Sequence, residues 1–186
     1  MEKRAHIGST VLHLIEGAVG KQRANVCVLI SRDTRVAREV AKMGHRLVVV
    51  GDRFKPLFRF QSRNHRYNPA LAVEARYREL PLSPEAFDVL VVARPMPKDS
   101  DVARELERLR LFLKPEGMLM WIHPVYRGVF GRVHRTFASR AHRMERHVLC
   151  RIAMEEGFHL VGQEVVRAGH SSQFVLTRAT LRRAFS

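Results

Sequence analysis

Residues 26–37 read VCVLISRDTRVA: an apolar run, a turn of Ser31, Arg32, Asp33, Thr34 and Arg35, and the start of a helical pattern. A second apolar run follows, LVVVGD at 47–52. Strand, sharp turn, helix and second strand make the opening βαβ half of a nucleotide-binding α/β sheet. In such sheets the first turn carries small residues, because the backbone must approach a cofactor closely and point amide donors at it. Here no glycine stands between Asn25 and Met43. The candidate crevice residues are therefore Ser31, Arg32, Asp33 and Thr34, with Asp52 closing the second run and Arg94 following a third, FDVLVVA at 87–93. The frame suits a cofactor and the turn does not.

The second feature with chemical content is charge. Lys and Arg number 33 against 18 acids, a formal +15. Two windows, 53–78 and 127–151, each hold seven cations and one acid, and so supply +12 of that total. A compositional arginine excess would be spread evenly, whereas a concentrated field favours anionic partners. In the first window Arg59, Arg63 and Arg66 interleave with Phe54, Phe58, Phe60 and Tyr67. Such a mixture binds irregular or single-stranded RNA through phosphate pairing and base stacking, although the three phenylalanines by themselves suit a role in anchoring the segment to the core. In the second window Arg132, Arg135, His142 and Arg146 fall on one face of a helical pattern, with Arg143 beside them. Like charges stacked at such spacing repel by roughly 0.2–0.5 kcal/mol a pair, a cost that an anionic partner relieves.

Other chemistries find little support. The ten histidines and two cysteines contain no HxxxH or CxxC pair, so neither a metal site nor a disulfide framework is expected. Cys27 and Cys150 suit small core positions, and Trp121 a mid-strand core position. His123-Pro124 ends a strand without a partner residue in view, so no catalytic residue is assigned. No apolar run approaches the ~20 residues of a membrane span. A soluble, cytoplasmic protein is the expectation.

The elements that must position these residues follow from periodicity. With 186 residues, 46% of them hydrophobic, the chain is long enough for one domain. We expect an N-terminal helical extension over 1–23, capped by Ser9 or Thr10, with Val11, Leu14, Ile15 and Ala18 inward. A single domain over 24–186 follows. Its strands are Asn25–Ile30, Arg46–Val50, a short one near Leu71–Tyr77, Phe87–Ala93 and Met118–Ile122, with two closing strands near 159–166 and 173–178. Helices are expected over Thr34–Lys42, Val102–Leu113 and about Arg132–Glu156. Residues 53–70 lack clean periodicity and carry Pro56, so they read as a basic loop or broken helix.

Three segments in this order carry a resemblance. LPLSPEAFDVLVV (80–92) resembles the leucine-proline, phenylalanine-aspartate approach to strand four of the class I S-adenosylmethionine-dependent methyltransferases. FLKPEGMLMWI (112–122) resembles that family's lysine-proline-glycine-glycine turn into strand five, and MEEGFHLVGQEVV (154–166) its glycine-phenylalanine turn into strand six. The resemblance spans roughly residues 24–180. It implies a doubly wound, Rossmann-like methyltransferase sheet, mostly parallel, closed by a C-terminal antiparallel hairpin.

The family's cofactor residues do not carry over. Matching the helix RVAREVAKMGH without gaps sets Val28 at the strand-one acid and Ile30, Arg32 and Thr34 at the glycines. Gly51 falls at the ribose-binding acid, one residue before Asp52, and Arg76 near the adenine-binding acid. Ala93-Arg94-Pro95-Met96-Pro97 matches no catalytic tetrapeptide, and Arg94 reads either as a crevice residue or as a solvated loop arginine. The resulting expectation is a catalytically degenerate methyltransferase-like protein that holds no cofactor and serves as a basic RNA-binding or assembly subunit of a larger complex, with an acidic protein as the other possible partner. The alternatives are an active methyltransferase, with S-adenosylmethionine in an altered pose against Arg32 or Arg35 and an anionic substrate, or a subunit stabilising an active partner of the same fold.

Overall fold

The computed structural model describes residues 7–20, 22–64, 70–76, 78–94, 102–126, 146–168 and 172–181. Its elements are α1 (Ile7–Val19), β1 (Asn25–Ile30), α2 (Arg35–Ala41), β2 (Arg46–Gly51), α3 (Phe54–Asn64), β3 (Leu71–Glu74), β4 (Phe87–Ala93), α4 (Val102–Phe112), β5 (Leu113–Tyr126), α5 (Arg146–Glu155), β6 (Phe158–Ala168) and β7 (Ser172–Leu181). The strands form one seven-stranded sheet in the order β3-β2-β1-β4-β5-β7-β6. Pairings from β3 to β5 are parallel, and β7 runs antiparallel to both β5 and β6. The mostly parallel sheet with its antiparallel close is the one expected from the sequence.

Unbroken apolar runs become the central strands because helices cover both faces of a parallel sheet. Alternation along β1 divides its side chains between two buried layers. Val26, Val28 and Ile30 enter the layer under α1, α2 and α3, while Cys27 and Leu29 enter the layer under α4 and α5. Burial pushes the Cys27 thiol pKa up, so this cysteine packs as a small apolar residue rather than serving as a nucleophile. Val11, Leu14 and Ile15 of α1 are fully or almost fully buried in the first layer. The helix begins at Ile7, so Ser9 and Thr10 lie inside it instead of capping it, and Ala18 is exposed.

Residues 54–64 depart from the expected loop or broken helix. They form a regular helix because Leu57, Phe60 and Asn64 share one face and are buried there. Pro56 is its third residue, where the backbone N–H has no intrahelical partner to lose. The helix expected over 132–156 appears as α5 from Arg146 to Glu155. Residues 127–145 lie outside the described residues.

Two of the three segments that carry the family resemblance, 80–92 and 112–122, meet in a mechanical joint at the N-terminal edge of the sheet. The Asp88 carboxylate on β4 accepts the Asn25 N–H of β1 at 2.7 Å and the Lys114 ammonium of β5 at 2.7 Å, so one side chain ties three strands together. Asn25 returns a bond to the Ala86 carbonyl at 3.1 Å. Burial works against the Asp88 charge, but the Lys114 and Asn25 bonds hold its pKa below the usual carboxylate value. Beside this joint β5 bulges. Phe87 pairs with Leu113 and Val89 with Met118, so Lys114-Pro115-Glu116-Gly117 is the expected turn folded into the strand.

That bulge is sterically exacting. A Cβ on Gly117 would lie 2.8 Å from the Lys114 carbonyl oxygen, and Glu116 holds φ at +63°. An L-residue in the left-handed region costs roughly 1–2 kcal/mol, which glycine avoids. We therefore expect Gly117→Ala to destabilise the domain by about 1–3 kcal/mol and Glu116→Gly to stabilise it by about 1 kcal/mol. Denaturant midpoints of the two variants should move in opposite directions.

Candidate cofactor crevice and basic helix face

The C-terminal edge of the sheet is where ligands bind in open α/β folds, at the point where the connections diverge to either side. Here that point lies between β1 and β4. The turns after β1, β2 and β4 bring residues 31–34, Asp52 and Arg94 to this one edge.

The turn after β1 satisfies itself. Asp33 accepts the Arg35 backbone N–H at 2.9 Å, while the Arg35 guanidinium closes on the same carboxylate at 2.6–3.1 Å. The Thr34 carbonyl accepts the Arg38 N–H at 2.9 Å, starting α2, and the Thr34 side chain makes no capping bond. Asp33 thus occupies one of the free amides at the head of the helix. Burial opposes its charge, but the Arg35 bonds and the nearby Arg38 bring its pKa below the ordinary value of 3.8. Ser31 and Thr34 are half-buried, and Arg32 is exposed. Val28, at the position of the strand-one acid, lies fully buried in the apolar layer under α1–α3.

Across β1, the Arg94 guanidinium and the Asp52 carboxylate face each other at 3.9 Å, with side chains 9% and 35% exposed. Arg94 is therefore buried beside Asp52 and is not a solvated loop arginine. Gly51 ends β2 in register with Ile30 and Glu74. A Cβ there would meet Ile30 at 3.2 Å and Leu57 at 3.4 Å, so the position packs beneath α3 and Asp52 is the first residue beyond the strand. Arg76 is exposed in the turn after β3.

The helix that carries the basic face, α3, starts two residues after Asp52. Lys55, Arg59 and Arg63 repeat every four residues along α3 and are exposed, and α3 contains no acid. Beside that row Phe54 and Phe58 are 63% and 56% exposed and stack with ring centroids 5.6 Å apart, whereas Phe60 is fully buried. The anchoring role expected of three phenylalanines is thus observed for Phe60 alone. What hid the distinction was the assumption of a loop, because on a helix the spacing separates Phe54 and Phe58 from the face of Leu57 and Phe60. Arg66, Arg132, Arg135, His142 and Arg143 lie outside the described residues, and Arg146 opens α5. Among the described residues there is no group of acids, histidines or cysteines placed to hold a metal, and no helix long and apolar enough to cross a membrane.

No protein-family model and no curated protein matches the sequence. Solved structures do. The N-methyltransferase NodS of Bradyrhizobium japonicum, in complex with S-adenosyl-L-homocysteine, superposes with a TM-score of 0.67 at 16% identity, over 92% of this chain and 85% of NodS. A SAM-dependent methyltransferase of Methanosarcina mazei gives 0.70 at 12% identity, over 91% and 97%. The [4+2]-cyclase SpnF gives 0.67 at 13% identity, over 93% and 80%. The chain has the class I methyltransferase fold. At such identities the likeness extends to the fold alone, and the chemistry of a methyltransferase fold rests on the residues at its crevice.

Removing the internal anion of the first turn should have a measurable cost. We expect Asp33→Ala to lose about 0.5–1 kcal/mol of stability at pH 7. Because the folded pKa lies below the unfolded value, the Asp33 contribution is complete above pH 3.8 and disappears as pH falls through the folded value. Wild type and variant should therefore converge in acid, as thermal melts at stepped pH would show.

Proposed function

We propose that this chain is a methyltransferase-fold protein that has abandoned the ordinary cofactor pose and works as a basic RNA-binding or assembly subunit. The observation that carries the first half is the Arg94 guanidinium, 9% exposed beside Asp52 at the switch point. S-adenosylmethionine is a sulfonium cation, and a buried guanidinium that already has the Asp52 carboxylate beside it leaves less negative charge to receive that cation. The turn reinforces this reading. Ile30 is fully buried, Arg32 replaces a residue without a side chain, and the Arg35 N–H already has an anion. These residues do not fit the cofactor in the family's manner, so no methyl-transfer step is derived through them.

The second half rests on the charge of the chain and on α3. Lys55, Arg59 and Arg63 form an exposed cationic row with no acid in the helix. The row keeps its like-charge repulsion, which phosphate would relieve. Arg66, Arg132, Arg135, His142, Arg143 and Arg146 are the further cations that sequence spacing assigns to contact with RNA.

A second reading is an active S-adenosylmethionine-dependent methyltransferase acting on an anionic substrate. It is favoured by Asp52, which keeps 35% exposure and suits ribose hydroxyls, and by the exposed Arg32, which suits a cofactor carboxylate. Calorimetric titration separates the two. We expect no heat from S-adenosylmethionine or S-adenosylhomocysteine up to millimolar concentration, and micromolar binding would establish the active reading instead. For RNA, three to four neutralised phosphates give a slope of log affinity against log salt of about −2 to −3. Affinity that does not change between low and physiological salt would refute the RNA reading.

A further inference from the structure

Phe54 and Phe58 present a problem that helix stability does not solve. Neither ring belongs to the two buried layers, which Leu57 and Phe60 join from the same helix. An i,i+4 aromatic pair supports a helix by only about 0.2–0.5 kcal/mol, and the adjoining Lys55–Arg59–Arg63 row works against it by similar amounts. Two large rings are thus held in water beside a row of cations, in a helix that contains no acid.

We propose that this face of α3 is a stacking platform for the unpaired bases of single-stranded RNA. The inference rests on the RNA reading above and adds which part of the RNA is recognised. The partner must complement two parallel strips, one cationic and one aromatic. A single strand offers phosphates and flat bases side by side at a short repeat. A duplex buries its base faces. An anionic lipid surface offers phosphate without flat rings, and an acidic protein offers carboxylates without them. The rings are also prepared for the task. Stacked on each other at 5.6 Å and 25°, they form one ordered surface before any ligand arrives, which lowers the cost of ordering on binding. Leu57 and Phe60 hold the helix down through its buried face, so the platform stands on a packed element.

The test uses the full chain, a labelled 12-nucleotide single-stranded RNA without self-pairing, and the same sequence as a duplex, read by fluorescence anisotropy. Three proteins are compared: wild type, Phe54→Leu/Phe58→Leu, and Phe54→Tyr/Phe58→Tyr. Leucine keeps the apolar bulk and removes the ring, while tyrosine keeps the ring. All these positions are exposed, so thermal melts should coincide. We expect wild type to prefer the single strand, the leucine pair to weaken it about tenfold with an unchanged salt slope, and the tyrosine pair to restore it. A leucine pair that binds as tightly as wild type would overturn the platform and leave an RNA reading based on phosphate contacts. Phosphatidylserine vesicles bound equally by wild type and the leucine pair, without preference for single strand over duplex, would assign the face to a lipid surface and overturn it too. Failure of wild type to bind RNA at low salt would remove the RNA reading, and the platform with it.

Discussion

A parallel sheet covered by helices on both faces has no place for charge except at its two ends. The central strands here obey this constraint strictly: Val26 to Ile30 on β1 and Val89 to Val92 on β4 are almost completely buried and apolar. The ion pairs at the ends of these strands therefore stand at opposite edges, while Glu105 and Arg108 pair within α4. Asp88 and Lys114 meet at the N-terminal edge, and Asp52 and Arg94 at the C-terminal edge. The first pair holds strands together, and the second stands where a ligand would enter.

The contrast between the two edges explains why the chain combines a recognisable fold with an unfamiliar crevice. At the N-terminal edge, Phe87-Asp88 and the Lys114–Gly117 bulge are constrained by packing and by bonds that span β1, β4 and β5. Their roles are set by the sheet itself, whatever the protein does. At the C-terminal edge the turn after β1 connects a strand to a helix through bonds of its own. A short polar turn with its own carboxylate does that, as Asp33 and Arg35 demonstrate.

Most of the architecture was legible because buried strands and amphipathic helices leave periodic marks. β1 and β4 agree with their expected bounds residue for residue, and α4 ends one residue early, where Leu113 pairs with Phe87. Residues 54–64 were illegible for a physical reason. Only Leu57, Phe60 and Asn64 are buried, and a buried asparagine is not an apolar mark. Pro56 reads as a breaker unless the helix start is already known. Arg94 was ambiguous for a related reason, because nothing local distinguishes an arginine that turns into a crevice from one that turns into solvent.

By itself the sequence determined the class of sheet, the order of its elements, the uneven placement of positive charge and the absence of glycine from the turn after β1. These are properties of local pattern and composition, set by periods of two and 3.6 residues and by the steric needs of single positions. The tertiary structure alone decided that Asp88 joins three strands, that Arg94 lies against Asp52, and that Phe60 is buried while Phe54 and Phe58 are not. Each of these depends on which residues distant in the chain share a neighbourhood. Chain crossovers set that neighbourhood, and no local period records it.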